Sequence, residues 1–131
     1  MRKVIFDANF FFLPFQFKID IFNEIESLIG RFEPIVLSTT LEELRKLSKT
    51  KSEKISRQAL LALKLAKKCK VIKANRRSGE NYDDVIVRLA RKHNSVVATN
   101  DSELRKKLRE EGVPTIFLRQ KAYLQIEGYL G

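Results

Sequence analysis

Acidic residues recur in this chain where short apolar segments give way to polar sequence. Residues 4–6 are continuously apolar, too short for a helix and rich in strand-forming types, which predicts a buried strand. Asp7 and Asn9 follow that strand at once. Other acids lie just after, or in the first helical turn after, the later predicted strands: Glu43, with Glu42 as an alternative; Asp83 or Asp84; and Asp101.

The carboxyl ends of parallel strands meet at one edge of a sheet, so these acids are expected to lie together. Carboxylates gathered in one place repel one another unless a cation lies between them. Mg²⁺ or Mn²⁺ is the natural partner because both ions prefer oxygen ligands. Zinc is not expected, since Cys69 and His93 are the only residues of their types. For Asp7 and Asn9, a helix cap or turn is the competing interpretation.

Five predicted strands alternate with helical patterns along the chain. The strands fall at residues 4–6, 34–37, 71–72, 95–98 and 114–118, and amphipathic helices are expected between them. This alternation predicts an α/β fold with a parallel sheet and helices on both faces. Residues 1–131 form one domain in this interpretation, with the tail after residue 119 docking as a short helix.

Lysine and arginine exceed aspartate and glutamate, giving a net charge of +10. Such a surplus favours a polyanionic partner, nucleic acid first and an anionic membrane second. Candidate phosphate contacts are the cations of two polar segments: Arg76, Arg77, Lys46, Lys49 and Lys51. Without a signal peptide or a long apolar span, the protein is expected to be soluble and cytoplasmic. The phenylalanine-rich residues 10–17 could stack on bases, but core packing or self-association is favoured.

Acids within a basic protein suggest a phosphodiester substrate: the surface holds the backbone, and a cation held by the acids activates water for attack on phosphorus. Neither a G-x-G-x-x-G nor a Walker A motif is present, which argues against dinucleotide or nucleoside triphosphate binding.

Four short motifs, in this order and spacing, resemble those of the PIN-domain nucleases. The motifs are Phe6-Asp7-Ala8-Asn9, Leu41-Glu42-Glu43-Leu44, Tyr82-Asp83-Asp84-Val85-Ile86 and Val97-Ala98-Thr99-Asn100-Asp101. The resemblance covers nearly the whole chain. It is strongest to the small archaeal VapC-like PIN proteins and to the eukaryotic PIN nuclease that processes pre-ribosomal RNA.

The resemblance implies a three-layer α/β/α sandwich whose five parallel strands have the order 3-2-1-4-5. It also implies that Asp7, Glu43, Asp83 and Asp101 are the catalytic metal ligands. Asp84 is an alternative to Asp83, and the family pattern ranks Asp83 first. By the same resemblance, Asn9 and Thr99 would orient ligands or water.

The implied activity is Mg²⁺- or Mn²⁺-dependent endonucleolytic cleavage of single-stranded RNA by two-metal-type hydrolysis, in a protein that is often a homodimer. A toxin held in check by a small antitoxin and an RNA-processing enzyme are both compatible with this expectation. The alternative is a non-catalytic RNA-binding or scaffold PIN domain. Such domains typically lose acids, whereas this chain keeps them.

Overall fold

A six-stranded sheet with the strand order β3-β2-β1-β4-β5-β6 organises the chain. A computed structural model describes all residues, Met1–Gly131. The strands are β1 (Arg2–Phe6), β2 (Phe32–Leu37), β3 (Lys70–Ile72), β4 (Val96–Ala98), β5 (Thr115–Arg119) and β6 (Tyr123–Glu127). The first five strands are parallel to one another, and β6 is antiparallel to β5.

Six α-helices connect or flank the strands. They are α1 (Leu13–Phe17), α2 (Ile21–Ile29), α3 (Ser38–Leu47), α4 (Glu53–Ala66), α5 (Tyr82–Lys92) and α6 (Ser102–Glu110). A 3₁₀ segment, Ala8–Phe12, links β1 to α1. None of these helices is both long enough and apolar enough to cross a membrane.

Alternate residues of the central strands feed two separate hydrophobic cores. Val4 and Phe6 of β1 belong to a core on one face of the sheet, built with residues of α1, α2 and α4. Ile5 belongs to the core on the opposite face, built with residues of α5 and α6. A strand buried on both faces must be apolar throughout. The presence of a helix-covered core on each face confirms the predicted three-layer α/β/α arrangement.

The phenylalanine-rich segment after β1 belongs largely to the first core. Phe10 and Phe11 are fully buried, and their rings lie 5.8 Å and 5.3 Å from the ring of Phe6. Phe15, at the far end of the segment, is 36% exposed. Core packing is therefore confirmed for the residues nearest β1.

The end of the chain corrects the expectation of five strands and a terminal helix. Residues after 119 turn back and add a sixth, antiparallel strand, with Ile116 opposite Ile126. The turn places Gln120 and Lys121 at positive φ, and Ala122 N donates to Arg119 O at 3.0 Å. Glycine or asparagine usually marks such a turn, so Gln-Lys gave no recognisable hairpin signal.

The aromatic cluster around Phe6 predicts that two phenylalanine-to-alanine substitutions differ greatly in their effect on the free energy of unfolding. Phe6→Ala should lower the free energy of unfolding by about 3–5 kcal/mol because it leaves a cavity in a closed core. Phe15→Ala is the matched control. It should lower the free energy of unfolding by less than about 1 kcal/mol because the Phe15 ring is partly exposed. Urea unfolding measures both values, and equal losses would contradict this description of the core.

Candidate active site

Asp7 lies at the carboxyl end of β1, beside the end of β4. Phe6 pairs with Ala98 of β4, and Asp7 N donates to Ala98 O at 2.9 Å. The chain leaves β1 toward β2 on one side and β4 toward β5 on the other, so the topological switch point of the sheet lies between the two strands. Asp7 is only 4% exposed, which makes it a buried acid at the point where open α/β sheets bind ligands.

Three hydrogen bonds fix the Asp7 carboxylate. Ala8 N donates to Oδ1 at 2.8 Å, while Asn9 Nδ2 and Thr99 Oγ1 donate to Oδ2 at 2.8 Å and 2.7 Å. An ionised carboxylate offers about four acceptor positions, so one remains on Oδ1. Asp7 also caps the 3₁₀ segment, so the cap interpretation is confirmed, and the site interpretation stays a prediction.

Asn9 and Thr99 connect Asp7 to the segment that follows β4. Asn9 Oδ1 accepts from Asn100 N at 3.0 Å, and Thr99 Oγ1 accepts from Asp101 N at 3.1 Å. The structure therefore places both residues in hydrogen-bond contact with Asp7, and the orienting role that the resemblance implied stays a prediction. Asn100 was not assigned a role from sequence; its Oδ1 accepts from Leu118 N at 2.9 Å and holds this segment to β5.

Asp101 begins α6 as its N-cap. Its Oδ1 accepts from the backbone nitrogens of Glu103 and Leu104 at 2.9 Å and 3.3 Å. These bonds satisfy otherwise unpaired helix donors and hold the carboxylate in one orientation. Asp101 therefore combines a capping role with a position next to Thr99, which contacts Asp7.

Glu43 approaches the same switch point from α3, close enough that the charge of Asp7 raises its pKa. The helix begins directly after β2, at Ser38, so Glu43 lies in its second turn and not in the first as expected. Its Oε1 is buried and has no hydrogen-bond partner. Glu42 is 51% exposed and lies 3.6 Å from Lys46 Nζ, so of the two glutamates it is Glu43 that faces the acids.

The structure distinguishes the two aspartates at the start of α5. Asp84 Oδ2 accepts from Asn81 N at 3.0 Å in a capping box, and its Oδ1 lies 3.6 Å from Lys107 Nζ. Asp83, by contrast, faces Asp7 and Glu43 closely enough that its charge raises the pKa of each. The geometry thus favours Asp83 over Asp84 as the member of the acidic group.

The four acids Asp7, Glu43, Asp83 and Asp101 form one electrostatic unit, which we call the acidic group. Burial raises the pKa of Asp7 to about 6, with further increases from the charges of Asp83 and Asp101. Burial raises the pKa of Glu43 to about 7, and all three other acids add to that increase. The pKa of Asp83 is also raised, first by burial and then by Asp101. Acids from four strand–helix junctions therefore face one another.

The donor chemistry of the acidic group fits a hard divalent cation. Every donor is a carboxylate oxygen, the mutual repulsion calls for positive charge, and Glu43 Oε1 is a buried oxygen with nothing bound to it. In the side-chain positions of this structure, no group of three or more Asp, Glu, His or Cys residues is placed to coordinate a metal ion.

The five predicted phosphate-binding residues differ in how close they lie to the acidic group. Lys46 and Arg76 lie close to the acidic group: Lys46 binds the hydroxyl of Tyr82, the residue before Asp83, and Arg76 contacts its ring. Lys49 and Lys51 are exposed in the turn between α3 and α4, and no side-chain hydrogen bond or ion pair links them to the acids. Arg77 is exposed in the loop before α5, where its backbone nitrogen donates to Glu80 Oε1 at 2.7 Å.

Comparison with known proteins decides the family. The family model described as "PIN like domain" matches residues 4–121, which is most of the chain. The chain belongs to the PIN-like domain family. It is 37% identical over 130 residues to ribonuclease VapC4 of Methanocaldococcus jannaschii, and the match covers 98% of each chain.

Two solved structures share this PIN fold. The PIN domain endonuclease Utp24 superposes with a TM-score of 0.79 at 27% identity, covering 97% of this chain and 92% of Utp24. VapBC2 from Rickettsia felis, bound to a DNA fragment from its promoter, superposes with a TM-score of 0.60 at 18% identity. That match covers 80% of this chain and 92% of the other, and it supports the fold alone.

The raised pKa values predict how stability changes with pH. The folded protein binds protons at Asp7 and Glu43 more tightly than the unfolded chain does, so this stabilisation is complete below about pH 4. It is lost as pH rises through the folded pKa values of about 6 and about 7. In EDTA, the free energy of unfolding should therefore fall between about pH 5 and about pH 8. The pKa of Glu80 is lowered to about 2, outside this window.

Glu43→Gln should flatten that pH dependence because it removes one of the two titrating groups and part of the repulsion. Glu42→Gln, at the neighbouring exposed position, is the matched control and should keep the wild-type slope. Urea unfolding across the pH series measures both. A wild-type protein that gains stability over this range, or equal slopes for all three proteins, would contradict the described coupling.

Proposed function

We propose that this protein is a metal-dependent endoribonuclease that cleaves single-stranded RNA at the acidic group. The observation that carries the proposal is that Asp7, Glu43, Asp83 and Asp101 lie close enough to act on one another's pKa at the switch point between β1 and β4. The family supports it, because the relatives that match over nearly the whole chain include a ribonuclease and an endonuclease. A scaffold domain would have no need for buried acids that raise one another's pKa.

The four carboxylates differ in how firmly the fold holds them, and we assign their roles accordingly. Asp7 is fixed by three donors and Asp101 by the first turn of α6, so they form the rigid side of the site. Glu43 Oε1 has no partner, and we assign this oxygen to a cation or to the proton of the attacking water. Asn9 and Thr99 keep Asp7 in one orientation, as outer-shell partners of metal ligands do.

The all-oxygen donor set makes Mg²⁺ or Mn²⁺ the proposed cofactor. When bound, such cations supply the charge that activates water for in-line attack and stabilises the departing oxygen, in a two-metal-type hydrolysis. The protein contributes orientation: it holds the carboxylates at one edge of a rigid sheet. It also holds the substrate, because its net charge of +10 attracts the phosphate backbone.

Two biological settings follow from the relatives, and a small partner protein belongs to one of them. Similarity to ribonuclease VapC4 over the full length favours a toxin-type ribonuclease whose activity a small antitoxin restrains. Similarity to Utp24 favours an RNA-processing role. We propose the first on the basis of the higher sequence identity, and we propose a homodimer as the working form.

The acidic group predicts loss of cleavage in single-residue variants. Asp7→Asn, Asp83→Asn and Asp101→Asn should each reduce Mn²⁺-dependent cleavage by more than about 100-fold, because each removes charge from the reacting centre. A labelled circular single-stranded RNA is the substrate of choice, because its conversion to a linear product shows endonucleolytic cutting. EDTA should stop the reaction in the wild type.

Asp84→Asn is the matched control for Asp83→Asn. Its carboxylate belongs to the helix cap and faces Lys107, so cleavage should stay within about tenfold of wild type after a small loss of stability. Wild-type cleavage by the Asp7, Asp83 and Asp101 variants would reject the proposed site. A loss equal for Asp83 and Asp84 would reject the distinction between them.

RNA affinity should depend steeply on salt. If basic residues hold the phosphate backbone, the logarithm of the association constant falls linearly with the logarithm of salt concentration, by about 0.7 per phosphate contacted. Fluorescence anisotropy in EDTA, with a single-stranded RNA that is not cleaved under these conditions, measures the slope. A flat dependence would mean that the positive surface is not where RNA binds.

A further inference from the structure

Three side chains from separate segments meet beside the acidic group: Lys46 of α3, Arg76 of the loop between β3 and α5, and Tyr82 of α5. Lys46 Nζ donates to Tyr82 Oη at 2.9 Å. The Arg76 guanidinium carbon lies 4.9 Å from the centroid of the Tyr82 ring, and Lys46 Nζ lies 5.5 Å from it. Two cations therefore flank one tyrosine: Arg76 lies against its ring, and Lys46 binds its hydroxyl.

This three-residue cluster lies between two members of the acidic group. Tyr82 directly precedes Asp83 at the start of α5, and Lys46 lies one helical turn after Glu43, on the same side of α3. The charge of Lys46 lowers the pKa of Glu43, which places the ammonium near that carboxylate. A ligand on the ring of Tyr82 would therefore be next to the acids.

The loop that carries Arg76 is anchored on both sides. Ser38 Oγ donates to Ala74 O at 3.0 Å and accepts from Ala74 N at 2.8 Å. Arg88 donates to Asn75 O at 2.8 Å and to both carboxylate oxygens of Glu80. The backbone next to Arg76 is thus held in place, so little ordering is needed before a ligand binds there.

Structural stability does not account for this arrangement. Lys46 is 62% exposed and Arg76 is also exposed, and cation–π contacts at such positions contribute only about 0.5–1 kcal/mol. Lys46 has one acidic contact, Glu42 at 3.6 Å, and no carboxylate pairs with Arg76. The two cations that flank Tyr82 repel each other, and a phosphate between them would offset that repulsion.

We infer that Lys46, Arg76 and Tyr82 form a nucleotide subsite, in which the base stacks on the Tyr82 ring and the two cations bind its flanking phosphates. This inference rests on the proposed ribonuclease function and names the residues that hold the substrate strand beside the acids. Stacking accepts any base because every base has a π face. The subsite therefore selects single-stranded RNA over duplex, in which the bases are already stacked.

The test is binding of a fluorescent single-stranded oligouridine in EDTA, where cleavage does not interfere. Tyr82→Leu keeps apolar bulk but removes the ring, and it should weaken binding about tenfold or more. Tyr82→Phe keeps the ring and should stay within about threefold of wild type. Thermal melting of each variant confirms that it is folded.

Inorganic polyphosphate, used as a competitor, separates stacking from charge. Tyr82→Leu should bind polyphosphate as wild type does, because that polymer has no bases. Lys46→Gln and Arg76→Gln should weaken binding of both polymers. The matched controls Tyr129→Ala and Arg31→Gln lie near the amino ends of the strands, at the opposite edge of the sheet, and should bind oligouridine like wild type.

Failure of this inference and failure of the ribonuclease proposal give different results. If the wild type cleaves RNA while Tyr82→Leu binds oligouridine unchanged, the subsite is wrong and the nuclease assignment stands. If Tyr82→Leu and Tyr82→Phe lose affinity equally, stacking is wrong. If no protein cleaves RNA but the Tyr82→Leu defect in binding is present, the subsite holds and the catalytic proposal fails.

Discussion

The buried carboxylate of Asp7 is the constraint on which the rest of the site depends. Burying a charge is unfavourable unless hydrogen bonds or opposite charges replace water. Here Ala8, Asn9 and Thr99 supply three donors, yet burial and the nearby acids still raise the pKa of Asp7 to about 6. The fold therefore holds an acid whose protonated form is favoured first by burial and then by the neighbouring carboxylates, and such perturbed acids are typical of functional sites.

The order of the strands explains why distant acids meet. Because β1, β2 and β4 are parallel, the segments that follow them emerge at one edge of the sheet, and because β1 lies between the other two, those segments are neighbours. Asp7, Glu43 and Asp101 each come from such a segment, and Asp83 reaches the same edge from the start of α5. The hydrogen bonds Asn9–Asn100 and Thr99–Asp7 then join the segment after β1 directly to the segment after β4.

Much of this arrangement could be predicted from sequence because it depends on local patterns. The apolar residues 4–6 followed by Asp7 predicted a central strand and its acidic end, and the other motifs predicted the remaining acids. Strand β6 could not be found in this way: its turn uses Gln120 and Lys121 at positive φ, where no local residue preference announces a hairpin. The pairing with β5 that stabilises it is a tertiary contact.

The details of the site also needed the structure. Asp83 and Asp84 are adjacent in sequence and chemically identical, and only the contacts with Asn81 and Lys107 show that Asp84 belongs to the helix cap. The earlier start of α3 moved Glu43 into the second turn. Tyr82 stood within a recognised motif, but its contacts with Lys46 and Arg76 depend on how α3 and the loop pack, which spacing along the chain does not encode.

The central claim is that the four carboxylates act together to hold a cation, and calorimetric titration with Mn²⁺ tests it most directly. Glu43 and Asp7, with pKa values of about 7 and about 6, share close to one proton near pH 6.5. Titration in two buffers with different ionisation enthalpies counts the protons that binding displaces. The account predicts release of about one proton per Mn²⁺-loaded protein near pH 6.5 and almost none near pH 8.5. Binding without proton release at the lower pH, or no binding at either pH, would contradict it.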